Sequence, residues 1–245
     1  MIRRVGRMSC LVCAGVLVLA SAGWGGNKRM MSVRAAKVLA ERALVESVYG
    51  LKVRCTESVE DMVAASFVGR TESKTEGQIN GINYEEICYD PEKDIAKVTA
   101  AVSLDQITNI DGETVDLKNK VYRRVAFATS TPSMAGPIKA LRAAELDAYA
   151  QLVKRIAGFT LESHTTVENY MLKSDTVKTK IVATLYLAEL AAYGWDEAGD
   201  AYVTMKLDTK EIADMLGEAV VGEGEVIEVT GEGAQVDDFG LAKQS

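Results

Sequence analysis

The residues of this chain able to do chemistry are few and scattered. Its one histidine, His164, stands in FTLESHTTVENY, where it could act as a general base for a neighbouring nucleophile. That segment alternates and is rich in Val and Thr, so it reads first as a strand with the imidazole at a surface or sheet edge. Glu60 and Glu168 are the best acid–base candidates, because each follows a valine in matching segments. Two carboxylates held roughly 5 to 10 Å apart can hydrolyse glycosides, but nothing in the spacing brings these two together. One histidine and the separated Cys55 and Cys88 form neither a C-x-x-C nor an H-x-x-x-H group. The GEG triplets at Gly222–Gly224 and Gly231–Gly233 lack a following lysine and sit among glutamates that repel phosphate. Trp24 stands at the signal junction and Trp195 in a hairpin turn, so no aromatic platform for a carbohydrate is visible. The expectation is a protein without catalytic, metal or cofactor-binding residues.

What must be positioned, then, is a surface rather than a reaction centre. The first residues, MIRRVGRMSCLVCAGVLVLASAGWGG, carry a basic start, an apolar run and small residues at Ala20 and Ala22, which is the pattern of a secretory signal cleaved after Ala22. The apolar run is short for a membrane anchor, which needs about 20 residues. Cleavage removes Arg3, Arg4 and Arg7, leaving 25 Lys and Arg against 35 Asp and Glu, so the formal charge moves from −7 to −10. An exported protein so acidic is a poor partner for nucleic acid. Cys10 and Cys13 lie within the signal without the small-residue context of a lipid-modified cysteine. Cys55 and Cys88 remain, either paired in an oxidising compartment or as two thiols.

The chain repeats itself. Arg34 to Met62 lies over Arg142 to Tyr170 without a gap, and nine of the 29 pairs are identical, including Arg34/Arg142, Ala36/Ala144, Ala40/Ala148, Leu44/Leu152, Gly50/Gly158 and Glu60/Glu168. In each copy, apolar residues four apart make one face of an amphipathic helix, whose small alanines allow close approach to a sheet. Gly50 and Gly158 stand where a left-handed residue would end that helix. Each copy then turns to strand-like alternation and a hairpin, KIVATLYLAEL with AYVTMKLD around a turn near Asp196–Asp200 in the second copy and GQINGINYEEI with IAKVTAAVSLD around a turn with Pro91 in the first. AKVT at Ala96 lies over AYVT at Ala201. The reading is an α+β fold, a tandem duplication of a module in which one helix packs on an antiparallel sheet. Its divisions are 1–22 signal, 23–119 first module, 120–220 second module and 221–245 acidic, Gly-rich tail. The strand Tyr122–Thr129 is assigned to the second module, DTKEIADMLGEAV to a short helix, and Val226–Thr230 to a lone strand in a weakly ordered tail.

An R-A-A-x-x-x-A helix ending in glycine, a T-x-V-E segment and a hairpin closing with Y-V-T-M-K-L resemble the bacterial envelope lipoproteins that include the flagellar protein FlgP. Ala144, Leu152, Gly158, Val167, Trp195 and Tyr202 carry the pattern in the second copy. The resemblance implies a periplasmic or outer-membrane location, with possible peripheral membrane association, and in flagellar members assembly into rings, without enzymatic activity. The chain departs from it by lacking a lipidation cysteine and by repeating the module. Two functions follow as expectations. One is an exported structural or assembly component acting on other envelope proteins or on itself through sheet edges. The alternative is a periplasmic binding module holding a small ligand or peptide between its domains; a deep, apolar-lined cleft there would favour it. An enzyme ranks third and requires His164 against Glu60 or Glu168.

Overall fold

The computed structural model describes residues 19–50, 81–108, 112–171 and 174–235. The segment Leu51–Met62, with Cys55 and Glu60, and most of the signal lie outside the described residues. The architecture is α+β. Helix α1 (Leu19–Gly50) runs unbroken past Ala22. Its Ala36, Ala40 and Leu44 are fully buried; spacing by four puts them on one face, and that face lies on a three-stranded antiparallel sheet of β1 (Asn83–Asp90), β2 (Ile95–Thr108) and β3 (Thr114–Ala128). The turn between β1 and β2 contains Pro91, as the sequence pattern requires.

The strand assigned from sequence to the second module belongs to this first sheet. Residues Thr114 to Ala128 all lie in β3, which pairs with β2, so the expected boundary between 119 and 120 falls inside one strand. The reason is local: Lys118 and Asn119 take left-handed φ values of 55° and 56° where the ladder slips between Leu104 and Gln106. Such a bulge interrupts the alternation, making one strand read as two segments.

The second half begins with helix α2 (Ala135–Ala157), which buries Ala140, Ala144, Ala148, Leu152 and Ile156. Then come β4 (Thr160–Leu161), α3 (Val167–Met171), α4 (Asp175–Leu185), β5 (Glu189–Trp195), β6 (Ala201–Asp208), α5 (Thr209–Leu216), β7 (Val220–Val221) and β8 (Val226–Gly233). Helix α2 packs on the antiparallel sheet β5-β6-β8, while β4 and β7 pair separately. The hairpin turn expected near Asp196–Asp200 is present, closed by Asp196 N–H donating to Asp200 O at 2.9 Å.

Four sequence expectations need correction. The strand read after Gly158 shrinks to Thr160–Leu161, and Val167 opens α3. The first part of KIVATLYLAEL is the end of α4, because Ile181, Val182 and Leu185 bury at helical spacing. Gly158 closes α2 at φ −76°, a right-handed conformation open to any residue, whereas Gly217 after α5 has φ 77° and donates to Ala213 O at 2.8 Å. Finally, Val226–Gly233 is no weakly ordered tail. It is the edge strand of the second sheet, and the expected division at residue 221 cuts through β7. Its glycines obscured this, since glycine is depleted in strands unless another backbone comes close. Here one does: a Cβ on Gly231 would overlap Ala144 O and Ala148 N, and one on Gly233 would overlap Ala140 O and Ala144 N.

The halves share a plan. Both hairpins slip by one residue just before the partner of the matching threonine, so that Glu86 faces Thr99 in one and Ala192 faces Thr204 in the other. They also share one continuous apolar core running from Ala36 and Leu44 through Tyr122, Leu141 and Tyr149 to Ile227 and Val229.

Candidate functional site

Strands β3 and β5 come together where the halves meet. Among the described residues β3 pairs with β2 alone, and β5 with β6 alone. Their side chains touch along the seam: Arg123 Nη1 lies 3.8 Å from Glu189, and the Phe127 and Tyr193 rings stand 4.6 Å apart at 53°. Around this seam α1, β1, β2, β3, α2, β5 and β6 line a cleft of about 570 Å³. The volume lies within the range of about 300 to 1,000 Å³ typical of small-molecule sites.

Arg124 forms the floor. On β3 it alternates in phase with Tyr122, Ala126 and Ala128, all buried, and its side chain is only 2 % exposed. A buried charge requires partners, and α2 provides them one turn apart. Glu145 Oε1 accepts from Arg124 Nη2 at 3.1 Å, and the Tyr149 hydroxyl accepts from Nη1. The guanidinium also stacks 5.0 Å from the Tyr149 centroid and 5.7 Å from that of Tyr186. Burial opposes its charge, yet Tyr149 and Glu145 hold its pKa above the usual arginine value. Burial pushes the Tyr149 phenol up to about 12, so it stays protonated. Glu145 Oε2 accepts in turn from Arg142 Nη1 at 2.5 Å. One carboxylate therefore serves two guanidiniums.

The walls combine apolar and basic groups. Val125, Phe127, Ile138, Leu141, Leu190, Val203 and Met205 supply the apolar surface. Among the described residues, Arg42, Lys97, Arg123, Arg124, Lys139 and Arg142 line the cleft with Glu86, Glu145 and Glu189; Lys97 pairs with Glu86 at 2.8 Å and Arg123 with Glu85 at 2.7 Å.

A second polar knot fixes the geometry behind the cleft. Asp94, 6 % exposed at φ 51°, accepts from Ser32 of α1 (2.9 Å), Tyr89 of β1 (3.0 Å), Ser130 (2.6 Å) and Thr131 (2.7 Å). Burial pushes its pKa up, but the four hydroxyls outweigh it and hold the carboxyl well below the usual range. Trp195, taken from sequence as a turn residue, ends β5 and donates Nε1–H to Pro137 O at 3.1 Å. The linker Ser130–Pro137 is thus bound to both halves.

The sequence candidates lie elsewhere. His164 is exposed in the turn after β4 at φ 59°, and Glu168 is exposed in the first turn of α3; neither lines the cleft. Glu60 and Cys55 lie outside the described residues. Cys88 is exposed, and its hydrogen bond to Glu86 (3.2 Å) raises the thiol pKa, which disfavours a reactive thiolate. Among the described residues no group of His, Cys, Asp and Glu could hold a metal ion. Arg124 escaped sequence reading because YRRV offers two adjacent arginines; its phase with Tyr122 and Ala126 was the available signal. Comparison with protein-family models, curated proteins and solved structures finds no match.

Proposed function

We propose that this chain is an exported, non-enzymatic binding protein that holds a small ligand in the cleft between its two halves. The observation that carries this reading is the cleft itself, apolar-walled, with a buried Arg124–Glu145–Tyr149 floor drawn from both halves. The sequence ranked assembly first and made such a cleft the condition for reversing that order. Export rests on the N-terminal pattern. Native mass spectrometry of the full chain, purified from its own host, tests the reading. A bound small molecule of defined mass is expected, and it should be lost from Met205→Trp and Leu190→Trp, whose indoles occupy the cleft. Each of the three chains appearing only at its own bare mass, with no stabilising hit in a metabolite thermal-shift screen, would sink it.

Assembly is the second reading, favoured by a different surface. Helix α1 exposes Met30 (66 %), Met31 (54 %) and Val38 (57 %), and β1, whose outer edge has no strand partner among the described residues, exposes Ile87 (45 %). Apolar groups beside such an edge suit pairing with other envelope proteins or with a second copy, as in the resembled flagellar family. Light scattering decides whether the chain self-associates; a strict monomer without cross-linked envelope partners would remove this reading.

A further inference from the structure

The last strand of each sheet lies against the helix of its own half, β3 beneath α1 and β8 beneath α2. β3 leads on to the second half. Its Phe127 packs on Tyr193 of β5, and its Val125 lines the cleft between the halves together with Leu39 and Ala43 of α1. The offset of 108 that aligns the helices puts Asp147 and Gln151 where Leu39 and Ala43 stand. The hairpins align the strands in the same way: Val125 faces Thr99 and Phe127 faces Lys97, as Thr230 faces Thr204 and Glu232 faces Tyr202. Four positions that are apolar in the first half are therefore polar in the second.

These four polar residues are bonded to one another. Asp147 Oδ2 accepts from the Glu232 N–H at 3.1 Å, and Gln151 Nε2 donates to Thr230 O at 3.0 Å. Gln151 Nε2 also donates to Asp147 Oδ2 at 2.8 Å, which joins the two side chains. Residues two apart on an edge strand turn their backbone N–H and C=O groups away from the sheet, and such a row is a template for another strand. Asp147 and Gln151 take one donor and one acceptor of that row. They reach it because Gly231 and Gly233 let the backbone of α2 settle on β8.

We infer that Asp147 and Gln151 are an edge cap, which closes β8 against the β1 strand of a second copy in the position that β5 takes against β3. The polar outer face of a terminal repeat protects an array in the same manner. A strand added there would need the Glu232 N–H and the Thr230 carbonyl for its own ladder, and both are engaged. The cap lies outside the cleft and is independent of what the cleft holds. Under the assembly reading, it removes β8 from the surfaces a partner can use.

The test gives the full chain the residues of its first half, Asp147→Leu with Gln151→Ala, and compares it with the unaltered chain by light scattering over a series of protein concentrations. Reversible growth beyond the size of the unaltered chain is expected. Adding Glu232→Pro, which removes the released donor at an edge position where proline is tolerated, should restore the original size. A folded double variant that stays the size of the unaltered chain overturns the cap. Growth that survives Glu232→Pro marks general adhesion and overturns it as well. Hydrogen exchange adds a readout that does not require the double variant to fold. In Asp147→Ala the Glu232 amide should exchange about tenfold faster, while the Val203 amide of the central strand β6 is unchanged. Asp147→Asn keeps an accepting oxygen and should leave both amides as they were. A Glu232 amide unchanged in Asp147→Ala, or a Val203 amide accelerated equally, overturns the inference.

Discussion

Beneath α1, β3 presents Ala126 and Ala128; beneath α2, β8 presents Gly231 and Gly233 at the corresponding register, opposite Val203 and Ala201 as the alanines stand opposite Val98 and Ala96. Both helices meet their sheets with alanines four apart, Ala36 and Ala40 in one, Ala144 and Ala148 in the other. The plan is common but the strand residues differ. The first half carries alanines at these positions, while in the second a Cβ on Gly231 or Gly233 would overlap the backbone of α2. A tight helix–sheet seam fixes the height of α2, and α2 carries Glu145, Tyr149, Arg142 and Lys139 into the cleft. The helix that supplies both printed partners of the buried Arg124 is the one packed without slack.

This contrast can be broken most severely at Gly231. Gly231→Val forces side-chain atoms into the backbone of α2, and a loss of about 4 kcal/mol or more is expected in chemical denaturation. Ala126→Gly, the reciprocal change in the first half, adds backbone freedom and removes one methyl; about 1 kcal/mol is expected. A large effect there would show the two seams to be equally tight. Between these extremes lies the floor of the cleft. Glu145→Ala strands the buried Arg124 with one partner fewer, and about 3 kcal/mol of stability should go, as for a buried pair broken on one side.

The Asp94 knot sharpens the comparison through pH. Its folded pKa is depressed, so its contribution is full above the unfolded value near 4 and is lost as pH falls below it. Asp94→Asn should cost about 2 kcal/mol at neutral pH, and its difference from the unaltered chain should shrink in titrations below about pH 4. A difference constant down to low pH would mean the hydroxyls do not hold the charged form. The smallest effect is expected at Gly158→Ala. Its right-handed φ and the ordinary contacts around it predict a change within about 0.5 kcal/mol, of either sign, despite its identity with Gly50 in the repeat.

The helical faces were legible because spacing by four survives in any context. Ala144, Ala148, Leu152 and Ile156 are all buried, and the Thr99/Thr204 correspondence located both hairpins. Short apolar runs were not legible, since Lys180–Leu190 satisfies a strand and a helix end equally well until Ile181, Val182 and Leu185 find their neighbours. Gly231 and Gly233 misled for the opposite reason: the feature that made the segment look unstructured is what lets α2 settle on it. The cleft could not be read at all. It draws on seven elements between Leu39 and Met205, and its floor, Arg124, looks like any strand arginine until α2 supplies Glu145 and Tyr149.

The two halves close a single core around a fixed cleft. Native-state hydrogen exchange in increasing denaturant tests it directly, reading amides of β2 such as Val98 and Ala100 against amides of β6 such as Val203 and Met205. Merging of all four into one global opening, with the same free energy and the same denaturant dependence, is the predicted result. Separate openings, with β6 protected after β2 has exchanged or the reverse, would show two independent modules and no permanent site between them.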